Sequence, residues 1–210
     1  CPSAAIRSAV AHIIDGWGEY LGARFGADLS CPVQLPVIPL GVDTARMATV
    51  TGEAKRQSQR WALALSDNEI AILYVGRLNY VAKANPLALF IAAEETAKRS
   101  SRPVRVLLNG YFNDDVNEDA FMEAANAILD VAKLQIIRHG DEDFPDGVWA
   151  AADIFCSLSD NIQESFGLTP VEAMAAGLPS IVSDWNGYRE SIRDGIDGYW
   201  IPTTMGPPGT

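Results

Sequence analysis

The stretch Glu164-Ser165-Phe166-Gly167-Leu168-Thr169-Pro170-Val171-Glu172, continuing as Ala173-Met174-Ala175-Ala176-Gly177-Leu178-Pro179, contains two glutamates eight positions apart with a glycine between them. Thr169 is a residue type that favours a helix N-cap, and Pro170 suits the first helical position. Glu172 then falls at the third helical position, so the sequence predicts a capping box at the start of this helix.

The same stretch predicts where the helix ends and what its start can bind. Gly177 and Pro179 favour termination after about two turns. The backbone N–H groups of the preceding turn and the positive end of the helix dipole together favour an anion such as a phosphate. Glu164 and Glu172 would then accept hydrogen bonds from hydroxyl groups.

The composition excludes several classes of protein. The chain has 210 residues, of which 48% are apolar, and a formal net charge of −11, so a substantial core is expected and nucleic acid or an anionic membrane is not expected as the main partner. The sequence shows no transmembrane segment and no signal peptide. Cys1, Cys31 and Cys156 lack metal-ligand spacing and are interpreted as reduced thiols of a cytoplasmic protein.

Strands and helices alternate along most of the chain. A first helix is predicted over residues 1–26 with Ser3 as its cap, and a short strand over Leu35–Leu40. Further strands are predicted over Ile70–Val75, Val104–Asn109, Leu134–Arg138, Ile154–Leu158, Ser180–Ser183 and Gly198–Ile201. Helices are predicted over Pro86–Ser100, Glu118–Ala132, Gly147–Ala152, Pro170–Ala176 and Tyr188–Arg193. This alternation predicts an α/β fold, a Rossmann-like parallel sheet with helices on both faces.

Polar residues concentrate where the predicted strands end. An open parallel sheet binds ligands at the carboxyl ends of its strands. The residues that follow the strands are Gly76-Arg77, Gly110-Tyr111, His139-Gly140, Ser159-Asp160 and Asp184-Trp185-Asn186-Gly187. We therefore expect the functional site at this edge. Trp17, Trp61, Trp149 and Trp200 are expected to pack in the core or at a domain boundary.

Two cations stand out at the predicted site. Arg77 offers a forked set of donors and Lys83 a point charge, a combination that suits a diphosphate. The sequence has no Gly-x-Gly-x-x-Gly motif after a strand and no spacing typical of metal ligands, so neither a dinucleotide cofactor nor a bound metal is expected.

The motif Glu-x7-Glu followed by Ala-Met-Ala-Ala-Gly-Leu-Pro resembles the signature of retaining GT-B glycosyltransferases of family 4, the glycosyl transferases group 1. The resemblance implies the C-terminal, donor-binding half of a GT-B fold and a nucleoside-diphosphate sugar as co-substrate. It implies catalytic roles for Glu164, Arg77 and Lys83, with the two cations on the diphosphate. It implies substrate-binding roles for Gly76, Arg138, His139, Phe166, Gly167, Leu168, Thr169 and Glu172, the last on the ribose hydroxyls.

The resemblance also implies a division of the chain. Residues 1–40 would be the tail of a truncated N-terminal domain, residues 41–202 the donor domain, and residues 203–210 a loop. The acceptor, a hydroxyl of a glycan, lipid or small molecule, would be bound largely by the N-terminal domain. We therefore expect this chain to bind the donor and to transfer the sugar poorly on its own.

Three other functions are weighed against this one. A sugar-nucleotide 2-epimerase would share the fold but would need strong acid and base residues for proton abstraction, for which the glutamate motif gives no support. A non-catalytic nucleotide-sugar binding module would be favoured if the donor-binding residues were missing, yet Arg77, Glu164 and Glu172 are all present. A general nucleotide-binding domain would differ from all of these in its indifference to the sugar.

Overall fold

The computed structural model describes residues 1–26, 32–80, 83, 85–138, 147–160 and 164–204. The helices are α1 (Ala4–Phe25), α2 (Thr44–Val50), α3 (Glu53–Ala62), α4 (Leu87–Arg99), α5 (Asp115–Ile128), α6 (Gly147–Ala151), α7 (Leu168–Ala175) and α8 (Tyr188–Ser191). The strands are β1 (Ile70–Val75), β2 (Val104–Gly110), β3 (Lys133–Arg138), β4 (Ile154–Ser157), β5 (Ser180–Ser183) and β6 (Gly198–Ile201).

The strands form one parallel sheet whose order, β3-β2-β1-β4-β5-β6, reverses direction next to β1. The chain moves outward from β1 to β3 and then returns to place β4 on the other side of β1, with Leu73 opposite Phe155. At such a reversal the loops after the two central strands leave in opposite directions and a crevice opens between them. The fold therefore places the crevice at the carboxyl ends of β1 and β4.

Helices cover both faces of this sheet because side chains along each buried strand alternate between two cores. In β1, Ala71 and Leu73 belong to one core, whereas Ile72 and Tyr74 belong to the other. The first core also contains buried residues of α2, α6 and α7, and the second contains those of α4 and α5. The predicted α/β architecture, with a parallel sheet between two layers of helices, is confirmed.

The predicted strands from Ile70 onward are confirmed to within one residue at either end, but the predicted strand over Leu35–Leu40 is wrong. Pro36 and Pro39 have no N–H group to donate to a neighbouring strand. The Ile38 N–H donates to the carbonyl of Cys1 at 2.8 Å, and this contact does not continue into a strand.

Aspartate caps account for two of the differences between the predicted and the observed helices. The prediction missed α2, which begins where the Asp43 carboxylate accepts the Arg46 N–H at 2.9 Å, and it also missed α3. α5 begins before the predicted Glu118 because Asp114 caps it, accepting the Asn117 N–H at 2.8 Å. For α1, the structure confirms Ser3 as the N-cap.

The predictions for cysteine and tryptophan are partly confirmed. Cys1 and Cys156 are free thiols, while Cys31 lies outside the described residues. Burial raises the pKa of the Cys156 thiol to about 12, so this thiol stays protonated. Trp149 is buried as expected, whereas Trp17 and Trp61 are 59% and 84% exposed and do not pack in the core. No described helix combines the length and the hydropathy needed to cross a membrane.

The carboxylate of Glu94 connects α4 to the segment before β3. It accepts the N–H groups of Asp130, Val131 and Ala132 at 3.0–3.2 Å, and the Lys98 ammonium lies 3.3 Å away. The Ala132 N–H and the other backbone donors lower the pKa of Glu94 to about 2, against an ordinary value of 4.5. Three backbone donors thus hold an ionised carboxylate where β3 enters the sheet.

Replacing Glu94 by glutamine should lower the thermal midpoint by several degrees at pH 7. The pKa of the folded state lies below that of the unfolded state, so the ionised carboxylate stabilises the fold fully above about pH 4.5. This contribution is lost as the pH falls from there toward about 2. Midpoints of wild type and Glu94→Gln, measured by circular dichroism between pH 7 and 3.5, should therefore converge as the pH falls.

Glu95→Gln is the matched control. Its side chain is half exposed and pairs with Arg99 only at the surface, so its midpoint should follow wild type at every pH. A difference between Glu94→Gln and wild type that does not narrow on acidification would contradict this account.

Candidate functional site

A pocket of about 380 Å³ lies at the carboxyl ends of β1 and β2. Four residues predicted from the sequence line it, namely Gly76, Arg77, Lys83 and Glu172. The other lining residues are Arg46, Val75, Asn109, Gly110, Tyr111 and Trp149. The edge of the sheet where polar residues follow the strands therefore carries the pocket.

Three cations share this pocket although the protein is strongly acidic. Arg77 comes from the loop after β1, Lys83 lies farther along that loop, and Arg46 comes from α2. The chain carries a formal net charge of −11, so its overall field opposes the approach of an anion. Three cations around one concave surface reverse that effect locally and favour an anionic group with several oxygens.

Glu164 is a buried carboxylate at the edge of the pocket. Only 6% of the residue is exposed, and its Oε2 atom pairs with the Lys83 ammonium, which lines the pocket. The Tyr188 hydroxyl donates to the same Oε2 at 3.2 Å. The Asn186 amide donates to the Glu164 backbone carbonyl at 2.7 Å, which fixes the main chain of the loop as well.

Two buried tyrosines adjoin this carboxylate. Burial raises the pKa of Tyr188 well above its usual range, and the negative charge of Glu164 raises it further. The pKa of Tyr74 is raised by the same two causes in the same order. Both phenols therefore stay protonated at neutral pH and remain available as donors. Tyr74 donates to the Arg77 backbone carbonyl at 3.2 Å.

The start of α7 differs from the predicted capping box. The N-cap is Gly167, with φ +82° and no side-chain cap, and Leu168 is the first helical residue. Thr169 and Glu172 therefore lie within the helix, because the left-handed turn at Gly167 starts it two residues earlier than predicted. Glu172 is left to project into the pocket, and Gly177, with φ +78°, ends the helix as predicted.

The remaining predicted residues fall into three groups. Phe166 and Gly167 are buried and lie between Glu164 and α7, whereas the exposed Leu168 and the half-buried Thr169 belong to the first turn of that helix. Arg138 ends β3, but its guanidinium pairs with Glu118 and lies 6.0 Å from the centre of the Phe112 ring, and it does not line the pocket. His139 lies outside the described residues.

Sequence reasoning missed several residues of the site. Arg46 was missed with α2, although Asp43 three residues earlier is a cap signal that could have revealed both. Trp149 was predicted to pack in the core or at a domain boundary, without a role in the site, but it also lines the pocket. Tyr188 had no predicted role, since nothing local in the sequence indicates that its hydroxyl reaches Glu164, 24 residues earlier.

The structure also bears on metal binding. Within the described ranges there is no group of three or more histidine, cysteine, aspartate or glutamate side chains placed to hold a metal ion.

The fold and the pocket define an α/β domain that presents cations and carboxylates at the carboxyl edge of a parallel sheet. Comparison with known proteins identifies the domain more closely. Residues 55–205 match the family described as glycosyl transferases group 1, so the chain belongs to this family.

Curated relatives are longer than this chain. It is 30% identical over 179 residues to the D-inositol 3-phosphate glycosyltransferase of Rhodococcus erythropolis, a match that covers 84% of this chain and 38% of the relative. The enzyme of the same name from Rhodococcus opacus is 29% identical over 185 residues, 87% of this chain and 39% of the relative. The chain thus spans less than half the length of these relatives.

Solved structures support the fold. WaaG, a glycosyltransferase involved in lipopolysaccharide biosynthesis, aligns with a TM-score of 0.65 at 18% identity over 81% of this chain and 44% of that one. Anabaena HepE in complex with UDP-glucose aligns with a TM-score of 0.62 at 22% identity over 80% and 43% of the two chains. The domain therefore has the fold of one half of a GT-B glycosyltransferase, as the sequence predicts.

Two glycines test how tightly the turn before α7 is packed. Gly167 and Gly177 have nearly the same positive φ, +82° and +78°. A Cβ atom at Gly167 would lie 2.0 Å from Cε1 of Tyr188, whereas nothing lies within 4 Å of one at Gly177. Gly177→Ala should cost about 1–2 kcal/mol for the left-handed backbone. Gly167→Ala should cost about 2–5 kcal/mol, because it adds the overpacking of a buried ring.

Chemical denaturation of both variants measures these free energies. Because the two glycines have nearly the same φ, the difference in unfolding free energy between the two variants measures the cost of the contact with Tyr188. Equal losses of stability would show that the ring yields without cost and that the turn is not fixed by it.

Proposed function

We propose that this domain binds the nucleoside-diphosphate sugar of a retaining, family-4 glycosyltransferase that transfers a hexosyl group to an acceptor hydroxyl. One observation carries the proposal: Arg46, Arg77 and Lys83 line the same pocket as Glu172, in a protein whose net charge is −11. A diphosphate needs local cations, and a ribose diol is matched by a carboxylate acceptor. The division of the chain at residues 40 and 202 and a cytoplasmic location are parts of the same proposal.

The comparisons support the donor class. HepE was crystallised with UDP and glucose and with UDP-glucose, and the curated relatives are named as glycosyltransferases. A uridine nucleotide sugar is therefore the first ligand to test.

The proposed reaction breaks the bond between the anomeric carbon of the sugar and the diphosphate oxygen and forms a new bond from that carbon to the acceptor oxygen. The diphosphate leaves with the bonding electrons and gains negative charge, and its departing oxygen takes up the proton that the acceptor hydroxyl loses. Arg77, Lys83 and the N–H groups near Gly167 stabilise that charge, so no metal or cofactor is needed in this scheme. The acceptor attacks from the face that the diphosphate leaves, which retains the configuration.

Before the donor binds, Lys83 and Glu164 neutralise each other as an ion pair. Burial of Glu164 without a cation would be costly, and Lys83 supplies that cation. A bound diphosphate would compete for the Lys83 ammonium, and the sugar hydroxyls would then supply donors to Glu164. We propose that the two partners of this ion pair separate their roles in this way, with Lys83 binding the phosphate and Glu164 binding the sugar.

Isothermal titration with UDP, UDP-glucose and inorganic diphosphate tests the proposal. Arg77→Ala should weaken all three ligands by about tenfold or more, since a charged hydrogen bond contributes about 1.5–3 kcal/mol. Glu172→Ala should weaken UDP and UDP-glucose to a similar extent and leave inorganic diphosphate unchanged, because that ligand has no ribose. GDP and ADP, titrated in parallel, would identify the preferred base.

Arg99→Ala is the matched control for lost positive charge. The Arg99 side chain is 80% exposed on α4 and pairs with Glu95, so its removal should change no affinity by more than about twofold. Absence of binding by folded wild type to every nucleotide, or equal weakening by Arg99→Ala and Arg77→Ala, would overturn the proposal.

A further inference from the structure

Tyr188 is a buried side chain to which the proposed reaction assigns no part. Only 1% of the residue is exposed, and its hydroxyl is hydrogen-bonded to two side chains, with Ser159 also adjoining it. Ser157 Oγ, at the end of β4, is 2.8 Å from this hydroxyl, and Glu164 Oε2 is 3.2 Å from it on the other side. The hydroxyl thus connects the central sheet with the loop that carries Glu164.

Chemistry fixes the direction of these two hydrogen bonds. An ionised carboxylate only accepts, so Tyr188 must donate its one proton to Glu164. Ser157 must then donate to Tyr188, although either hydroxyl could do so by geometry alone. The result is a directed chain from Ser157 through Tyr188 to Glu164, and all three residues are buried. Hydrogen bonds of such a chain reinforce one another where water is excluded.

The protein holds one oxygen of the Glu164 carboxylate. Lys83 and Tyr188 both contact Oε2, whereas Oε1 has no hydrogen-bond partner among the described residues. One oxygen is therefore held by the protein, and the other is left to accept from a ligand. The Tyr188 ring also packs beneath Gly167, so the residue supports both the carboxylate and the turn that leads into α7.

We infer that Tyr188 is a positioning residue for the sugar of the donor: it aims the Glu164 carboxylate at a sugar hydroxyl through the chain that begins at Ser157. This inference rests on the proposed function, since it assigns a task within the same site. It adds that affinity for the sugar, as distinct from the nucleotide, depends on a hydroxyl that does not itself touch the ligand.

Tyr188→Phe removes the hydroxyl and keeps the ring beneath Gly167. Titrated with UDP and UDP-glucose, this variant should bind UDP as wild type does and UDP-glucose about tenfold more weakly, because a misaligned Glu164 loses its charged hydrogen bond to the sugar hydroxyl. Ser157→Ala should change the same ratio of affinities in the same direction and to a smaller extent. If Tyr188→Phe fails to fold, the Ser157→Ala variant tests the positioning role of Tyr188 in its place.

Tyr74→Phe is the matched control. It removes a phenol of similar burial from the same edge of the sheet, but that phenol donates to the Arg77 carbonyl and not to Glu164. Its effect on UDP and UDP-glucose should be equal within about twofold. If the Tyr188 hydroxyl had only a structural role, Tyr188→Phe would also change the affinities for UDP and UDP-glucose equally.

The outcomes separate the inference from the proposed function. If wild type binds UDP-glucose and Tyr188→Phe leaves the ratio of the two affinities unchanged, the inference is wrong and the proposed function stands. If folded wild type binds neither UDP nor any sugar nucleotide, the proposed function is overturned and the inference with it.

Discussion

The pairing of β1 with β4 is the contact on which the site depends. It brings together two strands that are far apart in the sequence, since Ile72 pairs with Ile154, 82 positions later, so the loops that follow them leave the sheet side by side. Lys83 from one loop meets Glu164 from the other only because these strands are neighbours. Asp153 secures the pairing at the opposite end of the strands, where its carboxylate accepts the Ala71 N–H at 2.8 Å and the Arg56 guanidinium at 2.5 Å. The register of β1 and β4, which positions the pocket at one end of these strands, is thus held by the Asp153 carboxylate at their other end.

A similar use of charge recurs where the chain leaves regular structure. Glu94 gathers the N–H groups before β3, and Glu190 accepts the N–H groups of Ala4 and Ala5 at 2.9 and 3.1 Å at the start of α1. In an acidic protein these carboxylates are placed against backbone donors and do not repel one another. Ser3, the N-cap of α1, is buried, and its hydroxyl donates to the Ser165 carbonyl at 2.6 Å. The first turn of α1 is therefore fastened to the loop next to Glu164, so the position of that helix and the position of the loop are coupled.

The sequence was sufficient for the parts of the fold that follow from continuous local patterns. The apolar runs of β1 and β2 and the alternation of strands and helices predict a parallel sheet and its functional edge, and the placement of Arg77 and Glu172 at one pocket agrees with that edge. Errors arose where a single residue overrides a pattern. Pro36 and Pro39 prevent the strand predicted there, and the backbone conformation of Gly167 displaces the predicted cap at Thr169. Arg46 entered the pocket on a helix that was not predicted at all.

Tyr188 shows what a sequence cannot give. Asn186 and Gly187, just before Tyr188, indicate a turn. The role of the Tyr188 hydroxyl, however, depends on Ser157 at the end of β4 and on Glu164 in the loop that follows that strand. A phenol is suited to this position because its ring fills space beneath Gly167 while its single proton can satisfy only one acceptor. A serine at position 188 would lack the reach, and a histidine could carry a proton of its own and compete with Lys83 for the carboxylate. Burial raises the pKa of Tyr188, so the phenol stays protonated at neutral pH, where it is a constant donor to Glu164 and the balance of charge depends on Lys83 and the ligand.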